Sequence, residues 1–214
     1  MENKWVVFDM DGTLWDAVDL IVESWNASLK KHPELSIVIE KKALESLLGQ
    51  PMDAFARALF PGIPFAEAMA LLEECEQLEN SWCRERGANL YPNEEETFRK
   101  LIEAGWKLGI VSNCQSGYIE AFLDHYGFGK YFSDKLCYGD NGLSKGENIR
   151  LLLERNHAEY GCYLGDTDGD RTACKAADVP FYWAAYGFGK VTGEKTVNRL
   201  EDLPEMLKRE LPVV

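Results

Sequence analysis

Trp5-Val6-Val7-Phe8-Asp9-Met10-Asp11-Gly12-Thr13 decides the reading of this chain. Four apolar residues make a short buried strand, and two carboxylates two residues apart follow at once. Charges at the end of a buried strand need partners or a metal, because burying a charge alone is costly. Gly12 then permits a sharp turn and brings backbone N–H groups close to a ligand. Carboxylates, a cation and exposed amides in one place suit an anionic substrate.

The same arrangement recurs further along the chain. Trp106-Lys107-Leu108-Gly109-Ile110-Val111 reads as a strand and runs into Ser112-Asn113. Gly161-Cys162-Tyr163-Leu164 runs into Gly165-Asp166-Thr167-Asp168-Gly169-Asp170. Lys135–Tyr138 and Phe181–Ala184 are further strand candidates, the latter with Pro180 at its start, where proline is tolerated. Continuous apolar runs mark parallel strands covered on both faces. Helical patterns alternate with them. Asn93 stands where it would cap a helix whose first turn, Glu94-Glu95-Glu96, suits the dipole, and that helix stops near Gly105. Others are predicted at 116–126, 146–156, 169–177 and 201–209. The alternation predicts an α/β fold, a doubly wound, Rossmann-like parallel sheet. Ligands of such sheets bind beyond the carboxyl ends of the strands, where Asp9, Ser112 and Asp166 all fall.

Asp9 and Ser112 are separated by about a hundred residues, whereas a βαβ unit needs only about 30. The excess reads as helices almost throughout. Leu20, Ile21, Trp25 and Leu29 form one apolar stripe, Leu44, Leu47 and Leu48 a second, and Phe65, Met69, Leu72, Leu78 and Trp82 a third. Gly49-Gln50-Pro51 and Pro61-Gly62-Ile63-Pro64 break the pattern. The expected organisation is an α/β core of residues 1–16 and 87–214 with an all-helical cap, 17–86, inserted directly after the first acidic motif. A lid there would exclude water and choose substrates.

A net charge of −13 argues against a nucleic-acid partner, which would call for basic patches. It leaves an anionic substrate open, because a bound cation reverses the local sign. No run approaches 18 apolar residues, so no membrane span is expected. The first residues lack the basic start and apolar run of a signal peptide. Six cysteines without a C-x-x-C pair read as reduced thiols, and a cytoplasmic protein is expected. Cys114, beside the proposed site, reads as a small buried hydrophobe.

These motifs resemble the haloacid dehalogenase superfamily, in particular its phosphatase branch with a helical cap after the first motif (phosphoglycolate phosphatase-like). Asp9-Met10-Asp11-Gly12-Thr13 is similar to the family's D-x-D-G-T, and Ser112 to its strand-two Ser/Thr. Lys145 stands where the family has a lysine ahead of a helix, and Gly165-Asp166 with Asp170 resembles its G-D-x-x-x-D. The resemblance implies that Asp9 is the nucleophile forming an aspartyl-phosphate and that Asp11 is the general acid and then base. It implies Mg²⁺ on Asp9, the backbone carbonyl of Asp11 and Asp166, with Asp170 orienting the metal shell. Ser112 would bond a phosphoryl oxygen, and Lys145 would neutralise transition-state charge. Gly12, Asn113 and nearby amides would complete the phosphate cradle. The expected activity is Mg²⁺-dependent hydrolysis of a small phosphorylated metabolite.

Several features have blander readings. A calcium loop starting at Asp166 would need glycine sixth and glutamate twelfth, and Arg171 and Ala177 stand there. Lys135 competes with Lys145 but precedes its strand. Gly146 replaces the proline that often follows the family's lysine. His32, His125 and His157 show no ligand spacing. Trp15 and Trp25 read as packing at the cap hinge, with Trp15 the one that could wall the pocket, and Gln50 and Arg57 as solvated. The dehalogenase branch lacks the carboxylate of Asp11. The alternatives are a sugar phosphomutase, whose characteristic threonine and histidine would fall at Ala17 and Ile21, and a phosphate-sensing module without turnover. Oligomeric state is not legible.

Overall fold

The computed structural model describes residues 3–210. A six-stranded sheet forms its centre. Its strands are β1 (Lys4–Phe8), β4 (Trp106–Ser112), β5 (Phe132–Cys137), β6 (Tyr160–Gly165), β7 (Phe181–Ala184) and β8 (Lys195–Val197). They lie in the order β5-β4-β1-β6-β7-β8, and every pairing is parallel. The short β2 (Trp15–Asp16) and β3 (Asn89–Leu90) pair antiparallel in a separate ribbon.

The sheet is buried on both faces because successive residues of a strand point to opposite sides. Val6 and Phe8 join the larger cluster, with Phe98, Leu101 and Phe122 from α5 (Glu94–Glu103) and α6 (Tyr118–Tyr126). Trp5 and Val7 join the smaller one, with Ile149, Leu152 and Cys174 from α8 (Lys145–Arg155) and α9 (Asp168–Ala177). The strand runs therefore lack polar alternation for the reason anticipated from the sequence. β1 is central, with β4 on one side and β6 on the other, so the chain reverses its winding at β1. The expected strand at 135–138 begins earlier, at Phe132. The strand β8 and the four-residue α7 (Tyr138–Asn141) were not anticipated, because short segments carry little periodicity. Residues 200–202 form a 3₁₀ turn ahead of α10 (Leu203–Glu210).

Between β2 and β3 the chain forms α1 (Val18–Leu29), α2 (Lys41–Glu45), α3 (Met52–Leu59) and α4 (Phe65–Arg86). The stripe of α1 is as expected, with Ile21, Trp25 and Leu29 buried. That of α4 differs. Its buried face is Ala68, Leu71, Leu72, Cys75, Glu79 and Cys83, while Phe65 is exposed and Trp82 stacks under Arg86. Small and polar residues follow the helical period there, and a search for large apolar residues passes over them.

Asn93 does occupy the position before α5 but does not cap it by a side-chain bond. Its backbone is left-handed (φ 63°), and its side-chain amide donates to Glu201. Glu94 is not a solvated dipole partner either. It is buried, and neither carboxylate oxygen finds a hydrogen-bond partner among the described residues. Burial pushes its carboxyl up to about 9. A carboxyl whose folded value lies above its unfolded one stabilises the fold at low pH and loses that contribution as pH rises through the folded value. Wild type should therefore lose stability relative to Glu94→Gln between about pH 4.5 and 9. Thermal melts across that range check this, and parallel curves would refute it.

Candidate active site

The register of the sheet assembles the site. Phe8 sits level with Ile110 and Leu164, so Asp9 leaves β1 between the ends of β4 and β6, and its N–H donates to the Leu164 carbonyl (2.9 Å). Ser112 ends β4, and Asp166 follows β6 directly. Lys145 opens α8, where Ser144 and Glu147 form a reciprocal capping box. Asp170 lies in the first turn of α9, where it forms a second such box with Thr167. Gly146 has a packing reason: a Cβ there would lie 2.9 Å from the Ala173 carbonyl of α9.

Lys145 is the centre of the charge network. Its ammonium lies 3.0 Å from Asp9 Oδ1 and 2.5 Å from Asp170 Oδ1, all three residues being buried. Burial alone would lower the lysine's pKa. The Asp170 and Asp9 carboxylates outweigh it and hold Lys145 well above the usual range. Asp170 is held low despite its burial, by Lys145 and by Thr167, whose N–H and hydroxyl both donate to Oδ2. Asp9 is pushed up to about 7, by burial and then by Asp170, with Lys145 opposing. The competitor Lys135 is paired with Glu120 away from this network.

Asp166 shows what the cluster lacks. Its Oδ2 accepts from the N–H groups of Phe188 (2.7 Å) and Gly189 (3.1 Å). Its Oδ1 is buried without a hydrogen-bond partner among the described residues. Burial, then Asp170, pushes Asp166 up to about 7. Carboxylate oxygens of Asp9, Asp166 and Asp170 lie within 4.8 Å of one another. An orphaned oxygen beside two further carboxylates fits a hard divalent cation with oxygen ligands. Gly12 is fixed by the same crowding, with a φ of 79° and a Cβ that would fall 2.3 Å from Asp166 Oδ2.

Asp11 is held differently. The Tyr118 hydroxyl donates to its Oδ1 (2.7 Å), and burial pushes it up to about 7 although that bond opposes the shift. The Ser112 hydroxyl accepts from the Cys114 N–H (3.3 Å). The side chain of Asn113 donates to the Gly49 carbonyl (2.8 Å), which ties the end of β4 to the turn between α2 and α3.

Asp9, Asp11, Ser112, Asn113 and Lys145 form one wall of a cavity of about 40 Å³. Trp25 of α1, Leu48 of the turn between α2 and α3, Phe55 of α3 and Glu79 of α4 line it from the inserted segment. Trp25, not Trp15, walls the cavity; Trp15 packs edge-on against Tyr118, Phe122 and Tyr126. Gln50 lines it as well, while Arg57 pairs with Asp53 and covers the Phe65 ring, as a solvated residue does. His32 and His125 bind Glu74 and the Arg84 carbonyl, away from the site. All six cysteines are buried thiols outside any disulfide. Tyr118, Glu79 and the 188–189 amides were missed. Gly187-Phe188-Gly189 just after a strand was the one available signal, since paired glycines mark close backbone approach. Nothing in the sequence marks Tyr118 or Glu79.

A family model described as haloacid dehalogenase-like hydrolase matches residues 6–184. The phosphoglycolate phosphatase of Vibrio cholerae is 29% identical over 212 residues, covering 93% of this chain and 91% of that relative. That of Yersinia pestis is 26% identical over 191 residues, covering 86% of this chain and 81% of the relative. Among solved structures, CbbY of Rhodobacter sphaeroides in complex with phosphate superposes with a TM-score of 0.77 at 18% identity, over 95% of this chain and 96% of that one. Among the described residues, no helix is long and apolar enough to cross a membrane.

Removing one partner of a buried ion pair leaves the other charge uncompensated and typically costs about 3–5 kcal/mol. Lys145→Met should accordingly lower the unfolding free energy by roughly 3 kcal/mol at neutral pH. Urea denaturation reads this, and an unchanged midpoint would contradict the network described here.

Proposed function

The chain belongs to the haloacid dehalogenase-like hydrolase family and is a phosphatase of that family; we propose that it hydrolyses small phosphomonoesters by Mg²⁺-dependent transfer to Asp9. The observation that carries this reading is the buried carboxylate group of Asp9, Asp166 and Asp170, with an unsatisfied Asp166 oxygen, built around one lysine.

In this reading Asp9, Asp166 and the backbone carbonyl of Asp11 hold Mg²⁺, with Asp170 orienting its shell. The ion supplies positive charge that lets a phosphoryl oxygen approach carboxylates. Ser112 and the amides near Gly12 and Asn113 bind the remaining phosphoryl oxygens. Lys145 favours the ionised form of Asp9 against the burial that opposes it, and bonds its Oδ1. Asp9 attacks phosphorus, the bond to the leaving oxygen breaks, and that oxygen takes the proton of Asp11. Burial supports Asp11 as a proton carrier, and Tyr118 fixes the direction of its carboxyl. Water then attacks the aspartyl-phosphate while Asp11 takes its proton, which frees phosphate and restores Asp9. Ala17 and Ile21 are buried apolar residues unable to exchange protons, and this favours hydrolysis over isomerisation.

Residues 17–86 serve as the cap over a core of 1–16 and 87–214. The ribbon of β2 and β3 joins the two at both crossings. A cavity this small has room for only a few waters, and it suits a substrate with a small leaving group.

Purified protein should release phosphate from p-nitrophenyl phosphate with Mg²⁺, and EDTA should abolish turnover reversibly. Asp9→Asn should reduce kcat by at least roughly a thousandfold while retaining the fold, as removal of a nucleophile does. Tyr118→Phe should lower kcat by about tenfold with little change in KM, a loss of aim short of losing the acid–base group itself. Full turnover by Asp9→Asn would sink the proposed mechanism.

A further inference from the structure

The wall of the cavity opposite Asp9 is unusual in its charge. The phosphoryl group is held at Asp9, Ser112 and Lys145, so the rest of the ester must point towards the inserted helices. Among the described lining residues Lys145 is the one Lys or Arg, and its ammonium is already engaged by Asp9 and Asp170. The titratable group on the far wall is Glu79, which is 2% exposed in the middle of α4. Burial pushes its carboxyl up to about 8, so near neutral pH it is mainly a hydrogen-bonding carboxyl that a cationic group beside it would ionise. Its Oε2 accepts from Trp25 Nε1, while the nearby Gln115 amide donates to Asn80. Trp25 lines the cavity and sets the carboxyl in place.

The groove outside continues the pattern. It adjoins the cavity through Met52 and Gln115, and it carries Glu73 and Glu76 with no Lys or Arg among its described lining residues. A leaving group bearing a carboxylate or a second phosphate would thus meet acid along its path and at its seat, with no cation to receive it. A group with N–H or O–H donors would meet an acceptor beside Trp25, whose ring packs edge-on against Phe55.

We infer that Glu79 is the residue that selects the leaving group, for one that donates hydrogen bonds, an amine or hydroxyl, and against an anionic one. The inference rests on the phosphatase reading of the same site. It departs from what the names of the curated relatives suggest, since phosphoglycolate carries a carboxylate at this position.

Three two-carbon esters that differ only at the far end test it: ethanolamine phosphate, ethylene glycol monophosphate and phosphoglycolate. With Mg²⁺, the first two should exceed phosphoglycolate in kcat/KM by about tenfold or more, the scale of one charge-assisted hydrogen bond. The ethanolamine and glycol esters distinguish an amine-bearing from a hydroxyl-bearing source. Glu79→Gln keeps the shape and should narrow the ethanolamine-to-phosphoglycolate ratio by about tenfold, mainly through KM. Equal or better turnover of phosphoglycolate by wild type overturns the inference whatever the variant does. So does a Glu79→Gln effect of equal size on all three esters. Calorimetric titration of the three esters into Asp9→Asn protein reads the same preference without turnover. Ranked binding with no phosphate released by wild type would retire the phosphatase reading and keep the role of Glu79. Turnover without the ranking would do the reverse.

Discussion

Everything at the carboxyl edge of this sheet depends on one buried ammonium. Asp9, Asp166 and Asp170 place three carboxylates within a few ångströms in a region sealed from water. Like charges so close cannot all remain ionised unaided. Lys145 compensates two of them, and the remaining imbalance shows in Asp166, with one oxygen on two backbone amides and the other without a hydrogen-bond partner among the described residues. The fold tolerates this arrangement because both ends of the network sit on capped helices. Ser144–Glu147 fixes the first turn of α8, and Thr167–Asp170 fixes that of α9. Asp170 therefore belongs to the helix cap and to the charge network at once, which links the site's electrostatics directly to secondary structure.

The topology explains why so small a set of residues suffices. In a doubly wound sheet the first strand is central, and strands enter on either side of it with their carboxyl ends aligned. Phe8, Ile110 and Leu164 are neighbours across three strands although they are distant in sequence. Whatever follows each of them shares one edge. This is why the core was legible. The apolar runs 5–8, 106–111 and 161–164 each end in polar residues, and parallel packing turns that repeated pattern into convergence. The family resemblance ranks Lys145 over Lys135; Lys135 does not precede its strand as expected but lies inside β5, where it pairs with Glu120.

What stayed illegible has a physical pattern too. Asn93 and Glu94 look like a helix start with favourable charges, but tertiary packing turned one towards Glu201 and buried the other. Local propensity carries no information about which side of a helix the rest of the chain will cover. The α4 face is a stronger case. Ala68, Cys75, Glu79 and Cys83 keep the helical period, yet only Leu71 and Leu72 among its buried residues are large and apolar. A helix that must seal a cavity as well as a core cannot be uniformly greasy. Its departure from the expected stripe is therefore where function enters the inserted segment.

Glu79 is the sharpest instance. A buried carboxylate on an otherwise structural helix costs stability unless something meets it. Here Trp25 meets it from within the protein, and does so on the wall of a cavity already crowded with acid. Packing alone would be served as well by glutamine or leucine. Recognition is the reading under which a second buried carboxyl on the wall of this cavity, able to accept a hydrogen bond, is an asset: in that reading one wall binds the phosphoryl group and the other tests what is attached to it. A division of that kind lets the core remain fixed in its chemistry while substitutions on α1 and α4 change the substrate.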